Sequence, residues 1–324
     1  MAFRVLSTSP TFGYYVSEPS EYLESHGCKV ELFPQGEKIS EEELIQAVGE
    51  YDGIIVGIEK ITSSVIAASK KLKILTKHGI GVDNIDVKAA SSKGIVVTNA
   101  PGTNSDAVAD LTIGLFLSLA RSIPFADRSV KEGTWPRMVG VQINGKVLGI
   151  IGLGQIGKRV AQRALGFDMR ILAHDVFKDE AYATKWEITY ASLDEVLAES
   201  DFLSIHVPIS PSTRGLIGER ELNLMKKEAF LVNISRGDIV DEEALYRVLV
   251  EGRIRGAALD VFTSEPPVGS PLLTLDNVIL TPHMGAYTYE ALKETGMVCA
   301  RSIVDVLEGR KPQFIVNPEV LNDK

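Results

Sequence analysis

The sequence has few cysteines, only Cys28 and Cys299 among 324 residues. Two cysteines outside a CxxC pair cannot form a disulfide framework, so we expect a reducing, cytoplasmic setting. It also lacks a basic excess, because 34 Lys and Arg residues against 43 Asp and Glu residues give a net charge of −9. This balance gives no support for a nucleic-acid partner or a membrane surface.

Long apolar runs and metal-binding clusters are missing as well. The N-terminal segment "MAFRVLSTSP" has no apolar run long enough for a signal peptide or a membrane span. No group of histidines and cysteines has the spacing of metal ligands. We therefore expect a protein with no membrane, nucleic-acid or metal partner.

What is present is a regular alternation of strand-like and helix-like segments. The length suits two domains, and a hydrophobic content of 45% with 24% charged residues is typical of a globular chain. Five strand-like runs come first: "FRVLS", "KVELF", "GIIVG", "LKILT" and "GIVVTNA". Six follow from "KVLGII" onward: "KVLGII", "MRILAHD", "DFLSIHV", "FLVNIS", "GAALDV" and "VILTPH". Helical segments between them predict an α/β fold with two doubly wound parallel sheets.

Two predicted helices flank the second series of strands, one before it and one after it. The segment "TNSDAVADLTIGLFLSLARS" is apolar on most sides, which predicts a buried helix between domains or between subunits. Near the end, "YTYEALKETGMVCARSIVDVLEGR" is a long amphipathic helix, and "KPQFIVNPEVL" follows as an extended tail. A tail that returns to the first domain would make that domain discontinuous.

A glycine motif opens the second round. Gly152, Gly154 and Gly157 form G-x-G-x-x-G between a strand and a helix, which allows a tight turn and close approach of a pyrophosphate to the helix N-terminus. Asp175 follows a second strand, where an acid meets a ribose 2′-hydroxyl and repels a 2′-phosphate. The pattern favours NAD(H) over NADP(H); the alternative is a structural glycine turn with Asp175 in solvent. We predict cofactor contacts for Gly152, Gly154, Gln155, Ile156, Gly157, Asp175, His206 and Asp260.

Polar residues follow the later strands of the second round. Arg236, Glu265 and His283 come after three successive strands, at the edge where open parallel sheets bind ligands. Each residue alone has an ordinary structural explanation, but together they favour a catalytic group. Hydride transfer to a 2-oxo acid needs a carboxylate anchor and a proton donor. Arg236 suits the anchor, His283 suits the donor, and Glu265 would favour the protonated imidazole.

The motifs "GLGQIG", "NISRGDIVDEEAL", "ALDVFTSEPP" and "TPHMGAYTYEA" together resemble the D-isomer-specific 2-hydroxyacid dehydrogenase family. The resemblance implies that Arg236 is the substrate anchor, Glu265 the partner of the histidine and His283 the general acid/base. It implies a discontinuous flavodoxin-like substrate domain, residues 1–100 and 287–324, and a Rossmann NAD-binding domain, residues 101–286. It also implies a homodimer formed through the helix around Thr103–Ser122 and the arm that contains Trp135.

One loop of the first series of strands bears on which 2-hydroxy acid is the substrate. The loop "LTKHGIGVDNIDVKAA" is similar to D-3-phosphoglycerate dehydrogenases, which implies that the loop residues Lys77, His78, Gly79 and Ile80 contact the substrate. Two departures weaken a 3-phosphate site: Gly57 and Ile58 stand where many of those enzymes have an Arg, and Lys77 stands where Arg is typical. Since the sequence ends at Lys324, we expect no C-terminal serine-sensing domain.

Other functions of the same family stay open. Glu265 argues against a formate dehydrogenase, which has Gln at that position. A glyoxylate or hydroxypyruvate reductase is an alternative, and so is a non-enzymatic, NAD-sensing protein of the corepressor type. The sequence does not specify the side chain of the 2-hydroxy acid or the physiological direction.

Overall fold

Strands and helices alternate along the chain of the computed structural model, which describes residues 3–33 and 39–321. The strands are β1 (Phe3–Ser7), β2 (Cys28–Leu32), β3 (Gly53–Val56), β4 (Ile74–Lys77), β5 (Val96–Thr98), β6 (Val147–Ile151), β7 (Arg170–His174), β8 (Thr189–Tyr190), β9 (Phe202–Ile205), β10 (Phe230–Asn233), β11 (Gly256–Leu259) and β12 (Val278–Leu280). The helices are α1 (Glu18–Ser25), α2 (Glu41–Ala47), α3 (Ser63–Ala68), α4 (Val87–Ser92), α5 (Ser105–Arg121), α6 (Ile123–Lys131), α7 (Gln155–Leu165), α8 (Glu180–Lys185), α9 (Leu193–Glu199), α10 (Glu219–Leu224), α11 (Glu242–Val250) and α12 (Tyr289–Leu307).

The chain divides into two units, Met1–Asn104 with Tyr287–Lys324, and Ser105–Ala286. In the described residues of the first unit, all strands are parallel and lie in the order β2-β1-β3-β4-β5. This is the flavodoxin-like order, in which the strand order reverses at β1 and β3. The first boundary between the units follows Asn104, whereas the sequence predicted it after residue 100. The second boundary follows Ala286, at the predicted position.

Helices cover both faces of the first sheet. Leu23 of α1 and Ile303 of α12 pack against Val5 and Ile55 on one face, and α2, α3 and α4 bury their apolar residues on the other. The C-terminal tail lies along β5, where Ile315 forms an antiparallel bridge with Thr98. The buried Asn317 side chain accepts a hydrogen bond from the Val97 N–H at 2.7 Å, which holds the tail to this edge.

In the second unit the strand order is β12-β11-β10-β9-β6-β7-β8, again all parallel. If β6 is taken as the first strand, the strand order is that of the Rossmann fold, and β12 is one further strand at the edge of the sheet. The prediction of two doubly wound parallel sheets is therefore confirmed. Because the carboxyl ends of parallel strands meet at one edge, the loops after β6, β7, β9, β10, β11 and β12 lie along the same side of the sheet.

Helix α5 is buried, as its apolar composition predicted, but its apolar residues pack within the second unit rather than only at a boundary between domains or subunits. Phe116 of α5 contacts Phe202 of β9 edge-to-face at 5.3 Å between ring centres, and Phe202 stacks on Phe230 of β10 at the same distance. Its apolar residues therefore form part of the core of this unit.

None of the helices in the described part of the chain is by itself long and apolar enough to cross a membrane. The consecutive helices α5 and α6, bent by 61° from one another, reach that length and composition only as a pair.

Candidate active site

The glycine loop between β6 and α7 is shaped by close backbone contacts. Gly152 has a positive φ of 95°, which side chains rarely adopt. A Cβ atom on Gly157 would lie 2.2 Å from the carbonyl oxygen of Gly152, so only glycine lets α7 approach the turn. A Cβ on Gly154, by contrast, would meet nothing within 4 Å. The open side at Gly154 leaves the N-terminus of α7 accessible to an anion.

Asp175 follows β7 and organises the same loop. Its Oδ2 atom accepts a hydrogen bond from the Leu153 N–H at 2.7 Å, and its Oδ1 atom accepts one from the Phe177 N–H at 2.8 Å. Each carboxylate oxygen has a further lone pair for a ribose hydroxyl. Gln155 and Ile156 lie in the first turn of α7, beside the open cradle. The cradle, the helix N-terminus and the carboxylate fit the pyrophosphate and ribose of a dinucleotide.

His206 follows β9 and lies against the glycine loop. Its N–H donates to the Ile151 carbonyl at 2.7 Å, and its Nε2 atom is hydrogen bonded to the Ser204 hydroxyl at 2.7 Å. Among the described residues, its buried Nδ1 atom has no partner. Burial lowers the pKa of His206 to about 3, so the ring is neutral near pH 7. Its contact with the cofactor stays a prediction.

Glu265 and His283 meet although 18 positions separate them in the sequence. The Nδ1 atom of His283 lies 2.9 Å from Oε2 of Glu265, and Oε1 accepts a hydrogen bond from the Phe262 N–H at 3.1 Å. Burial opposes ionisation of Glu265, but the hydrogen bond with His283 and the Phe262 N–H outweigh it and lower its pKa. Because Nδ1–H donates to the carboxylate, Nε2 is the atom that can exchange a proton with a ligand.

Arg236 lies on the neighbouring loop after β10. The buried Asn233 holds this loop through a hydrogen bond from its side-chain amide to the Arg236 carbonyl at 2.9 Å. The Arg236 charge also contributes to the lowered pKa of Glu265. A Cβ on Gly237 would lie 1.9 Å from the carbonyl carbon of Phe262, so this glycine lets the two loops touch. The second unit thus brings Arg236, Glu265 and His283 to one edge of its sheet.

Asp260, at the end of β11, is only 1% exposed and holds the loop that carries His283. Its Oδ1 atom accepts hydrogen bonds from the Thr281 hydroxyl at 2.5 Å and the Met284 N–H at 2.9 Å. Its Oδ2 atom accepts one from the Gly285 N–H at 2.8 Å. The predicted contact of Asp260 with the cofactor stays a prediction; the contacts in the structure give Asp260 a positioning role.

The predicted substrate loop of the first unit follows β4. The His78 N–H already donates to the Val56 carbonyl at 3.0 Å, and the Gly79 N–H donates to the Lys77 carbonyl at 2.9 Å. Within the described ranges the N–H of Ile80 donates to no protein acceptor, which leaves it available for a carboxylate. The Lys77 ammonium points to the protein backbone, donating to the Gly57 carbonyl at 2.5 Å.

Several residues that shape these sites were not predicted from the sequence. Gly237 and Thr281 were quoted inside motifs, but only the close loop contact and the Asp260 hydrogen bond reveal what they do. Asn84 accepts a hydrogen bond from the Lys77 ammonium at 3.0 Å and so fixes its direction. Over residues 3–33 and 39–321, no three His, Cys, Asp or Glu side chains are placed to hold a metal ion.

Comparison with known proteins identifies the class. Residues 113–285 match the family model described as "D-isomer specific 2-hydroxyacid dehydrogenase, NAD binding domain". A hydroxypyruvate reductase from Thermotoga maritima is 44% identical over 281 residues, which cover 85% of this chain and 91% of that protein. The chain belongs to the D-isomer specific 2-hydroxyacid dehydrogenase family, as its motifs predicted, and its second unit carries the NAD-binding domain of that family.

Individual relatives have different names. A D-3-phosphoglycerate dehydrogenase from Methanocaldococcus jannaschii is 46% identical over 291 residues, 88% of this chain and 56% of that protein. This chain therefore spans little more than half the length of that relative. Among solved structures, the TT0316 protein from Thermus thermophilus is 35% identical with a TM-score of 0.90, covering 97% of this chain and 100% of that one.

Proposed function

We propose that the protein is an NAD-dependent oxidoreductase that interconverts a small D-2-hydroxy acid and its 2-oxo acid. The observation that carries this proposal is the hydrogen bond between His283 and Glu265. It lies at the same edge of the sheet as Arg236 and the glycine loop. This is the arrangement that acid–base assisted hydride transfer needs.

Each residue has a definite task in the reduction. NADH held at the glycine loop and Asp175 would supply the hydride that C2 of the oxo acid accepts. Protonated His283 donates its Nε2 proton to the carbonyl oxygen, so that the alcohol forms as the N–H bond breaks. Glu265 stabilises the protonated ring before the transfer. Arg236 grips the substrate carboxylate with parallel hydrogen bonds and orients C2.

A panel of substrates tests the proposal. NADH oxidation is measured with hydroxypyruvate, glyoxylate and 2-oxoglutarate, and NAD reduction is measured with 3-phosphoglycerate. We expect turnover of at least one acid, with Arg236→Lys raising KM because the two-point grip is lost. If NADH binds but no acid turns over, the proposal fails and a non-enzymatic NAD-sensing protein is favoured.

We further propose a cytoplasmic homodimer formed through α5 and the arm that follows α6. In that arm Trp135 is 85% exposed and Val139 is 90% exposed. Large apolar side chains displayed this fully are typical of a surface that a second copy covers. The cytoplasmic setting is supported by the two cysteines, which are both free thiols in the structure.

A further inference from the structure

The peptide that joins Phe262 to Thr263 lies beside the candidate acid–base pair and is held by two contacts. A Cβ atom on Gly237 would lie 1.9 Å from the Phe262 carbonyl carbon and 2.2 Å from the Thr263 nitrogen, so the loop after β10 presses directly against this peptide. The Thr263 N–H also donates to Oε1 of Glu242 at 2.6 Å. The proposed chemistry gives the Glu242 carboxylate no task.

Two successive N–H groups of this segment bind two different carboxylates. The Thr263 N–H binds Glu242, and the preceding N–H, that of Phe262, donates to Oε1 of Glu265 at 3.1 Å. The other oxygen of Glu265, Oε2, lies 2.9 Å from Nδ1 of His283. A series of hydrogen bonds therefore runs from Glu242 through one stretch of backbone to the imidazole.

Glu242 stands on a fixed element. It is the first residue of α11, which buries one face in the core of the second unit. Asp241, directly before it, accepts hydrogen bonds from two N–H groups of the first turn, both at 3.0 Å. The start of α11 is therefore held by its own cap and by the core, and Glu242 offers an acceptor at a fixed point.

The segment that carries Glu265 needs such an anchor. Phe262 is 8% exposed and packs in the core, but the four residues from Thr263 to Pro266 are exposed. Apolar packing therefore ends just before the segment that has to place the carboxylate. A hydrogen bond from a backbone N–H to an ionised carboxylate is among the stronger kinds in proteins.

We infer that Glu242 is a positioning residue, whose hydrogen bond with the Thr263 N–H keeps the Glu265 carboxylate aligned with His283. It acts through the backbone, whereas the charges of His283 and Arg236 act on Glu265 directly. The inference rests on the proposed function, because the reaction that it assists is the proton transfer by His283. The alignment itself exists without substrate and can be measured without turnover.

Removing the acceptor tests the inference. In Glu242→Ala we expect kcat for reduction to fall by roughly tenfold, because a small displacement of a catalytic group is costly. KM for the oxo acid and the affinity for NADH should stay nearly the same, since Asn233 still holds the loop of Arg236. The falling limb of the pH–rate profile should move to lower pH, as in Glu265→Gln but less far, because a displaced carboxylate stabilises the protonated ring less.

Two matched variants separate the hydrogen bond from other effects. Glu242→Gln removes the charge but keeps an oxygen that accepts from Thr263, so its kcat and pH profile should stay close to those of the wild type. Glu243→Ala removes the other acid in the first turn of α11, which pairs with Arg247 at 3.1 Å, and should leave both unchanged. A Gln variant that behaves like Glu242→Ala overturns the inference, because the charge is then what matters. A Glu242→Ala variant that loses only melting temperature overturns it too.

An NMR titration of the histidine rings distinguishes failure of this inference from failure of the proposed function. The chain has five histidines, and the signal that disappears in His283→Asn belongs to His283. We expect this ring to titrate at a lower pH in Glu242→Ala than in the wild type or Glu242→Gln. An unchanged titration overturns the inference and leaves the proposed function standing. A shifted titration in a protein that reduces no 2-oxo acid supports the positioning role and overturns the proposed function.

Discussion

At the scale of single residues, His283 is held in a backbone conformation that is costly for a side chain. Its φ of 53° lies in the left-handed region, which non-glycine residues seldom occupy. The three hydrogen bonds that Asp260 accepts from Thr281, Met284 and Gly285 surround this residue and hold the loop in place. Such local strain, maintained by neighbouring contacts, is typical of residues placed for function.

The first prediction concerns the imidazole itself. His283→Asn should lower kcat by roughly 100-fold or more, because the proton donor is lost, while NADH affinity stays nearly the same. Steady-state rates and a fluorescence titration with NADH measure the two effects. His26→Asn, at an exposed helix end of the first unit, serves as control. Near-normal turnover of the His283 variant would exclude this residue as the acid.

The second prediction concerns the charge of Glu265. Its lowered pKa means that the carboxylate is ionised at neutral pH and faces the His283 ring. Glu265→Gln removes the charge that stabilises the protonated ring, so the ring loses its proton at a lower pH. The falling limb of the pH–rate profile for reduction should therefore move to lower pH. Glu251→Gln, exposed at the end of α11, should leave the profile unchanged; a profile that stays in place in both variants contradicts the role of Glu265.

At the scale of secondary-structure elements, the turn from β6 to α7 contains one glycine that the fold requires and another that only cofactor binding should require. Gly157→Ala should lower the melting temperature and abolish NADH binding, because its Cβ meets the Gly152 carbonyl at 2.2 Å. Gly154→Ala should leave the melting temperature nearly unchanged, since its Cβ enters open space, and should weaken NADH binding by narrowing the cradle. Thermal denaturation with and without NADH measures the melting temperature and the NADH binding of each variant. An unchanged NADH affinity in Gly154→Ala would mean that the pyrophosphate binds elsewhere.

Elements also differ in how well local sequence predicted them. The strand-like runs and the apolar body of α5 were recognisable, because burial on both faces of a parallel sheet demands continuous apolar residues. Ser40 at the start of α2 forms the reciprocal hydrogen bonds with Glu43 that a helix cap provides. Ser17, before α1, makes no such side-chain bond. A capping residue in the sequence thus indicates a helix start without guaranteeing its hydrogen bond.

At the scale of the whole molecule, the exposed arm allows a test of the proposed homodimer. Trp135→Glu should shift the protein toward monomers, because a charge would have to be buried in the interface. Sedimentation velocity or light scattering measures the mass directly. Phe177→Glu, another exposed aromatic position of the second unit, is the matched control. A dimer that persists unchanged in Trp135→Glu would remove the arm from the interface.

The stability of the whole protein should also depend on pH through its buried histidines. The pKa of His206 falls from 6.5 to about 3 on folding, so the unfolded chain takes up a proton that the folded chain refuses. The contribution of His206 to the free energy of unfolding is fully present above pH 6.5, and it is lost as the pH falls toward about 3. Melting temperatures should drop between neutral pH and about pH 5, and less steeply in His206→Gln than in His26→Gln. Equal slopes would contradict this.

The sequence by itself determined the fold class, the glycine loop and the residue types of the proposed catalytic group. Apolar periodicity, glycine spacing and the position of polar residues after strands are local properties, and local properties can be read along a chain. They sufficed to predict two parallel sheets and to name Arg236, Glu265 and His283.

Only the tertiary structure decided which side chains meet. Lys77 turns toward Gly57 and Asn84. Gly237 lets two loops touch, and Asp260 holds the loop that carries His283. These contacts join loops that are distant in sequence, and their geometry depends on how closely neighbouring backbones pack. No local pattern encodes that distance, so the partners of each side chain appear only once the strands are in register.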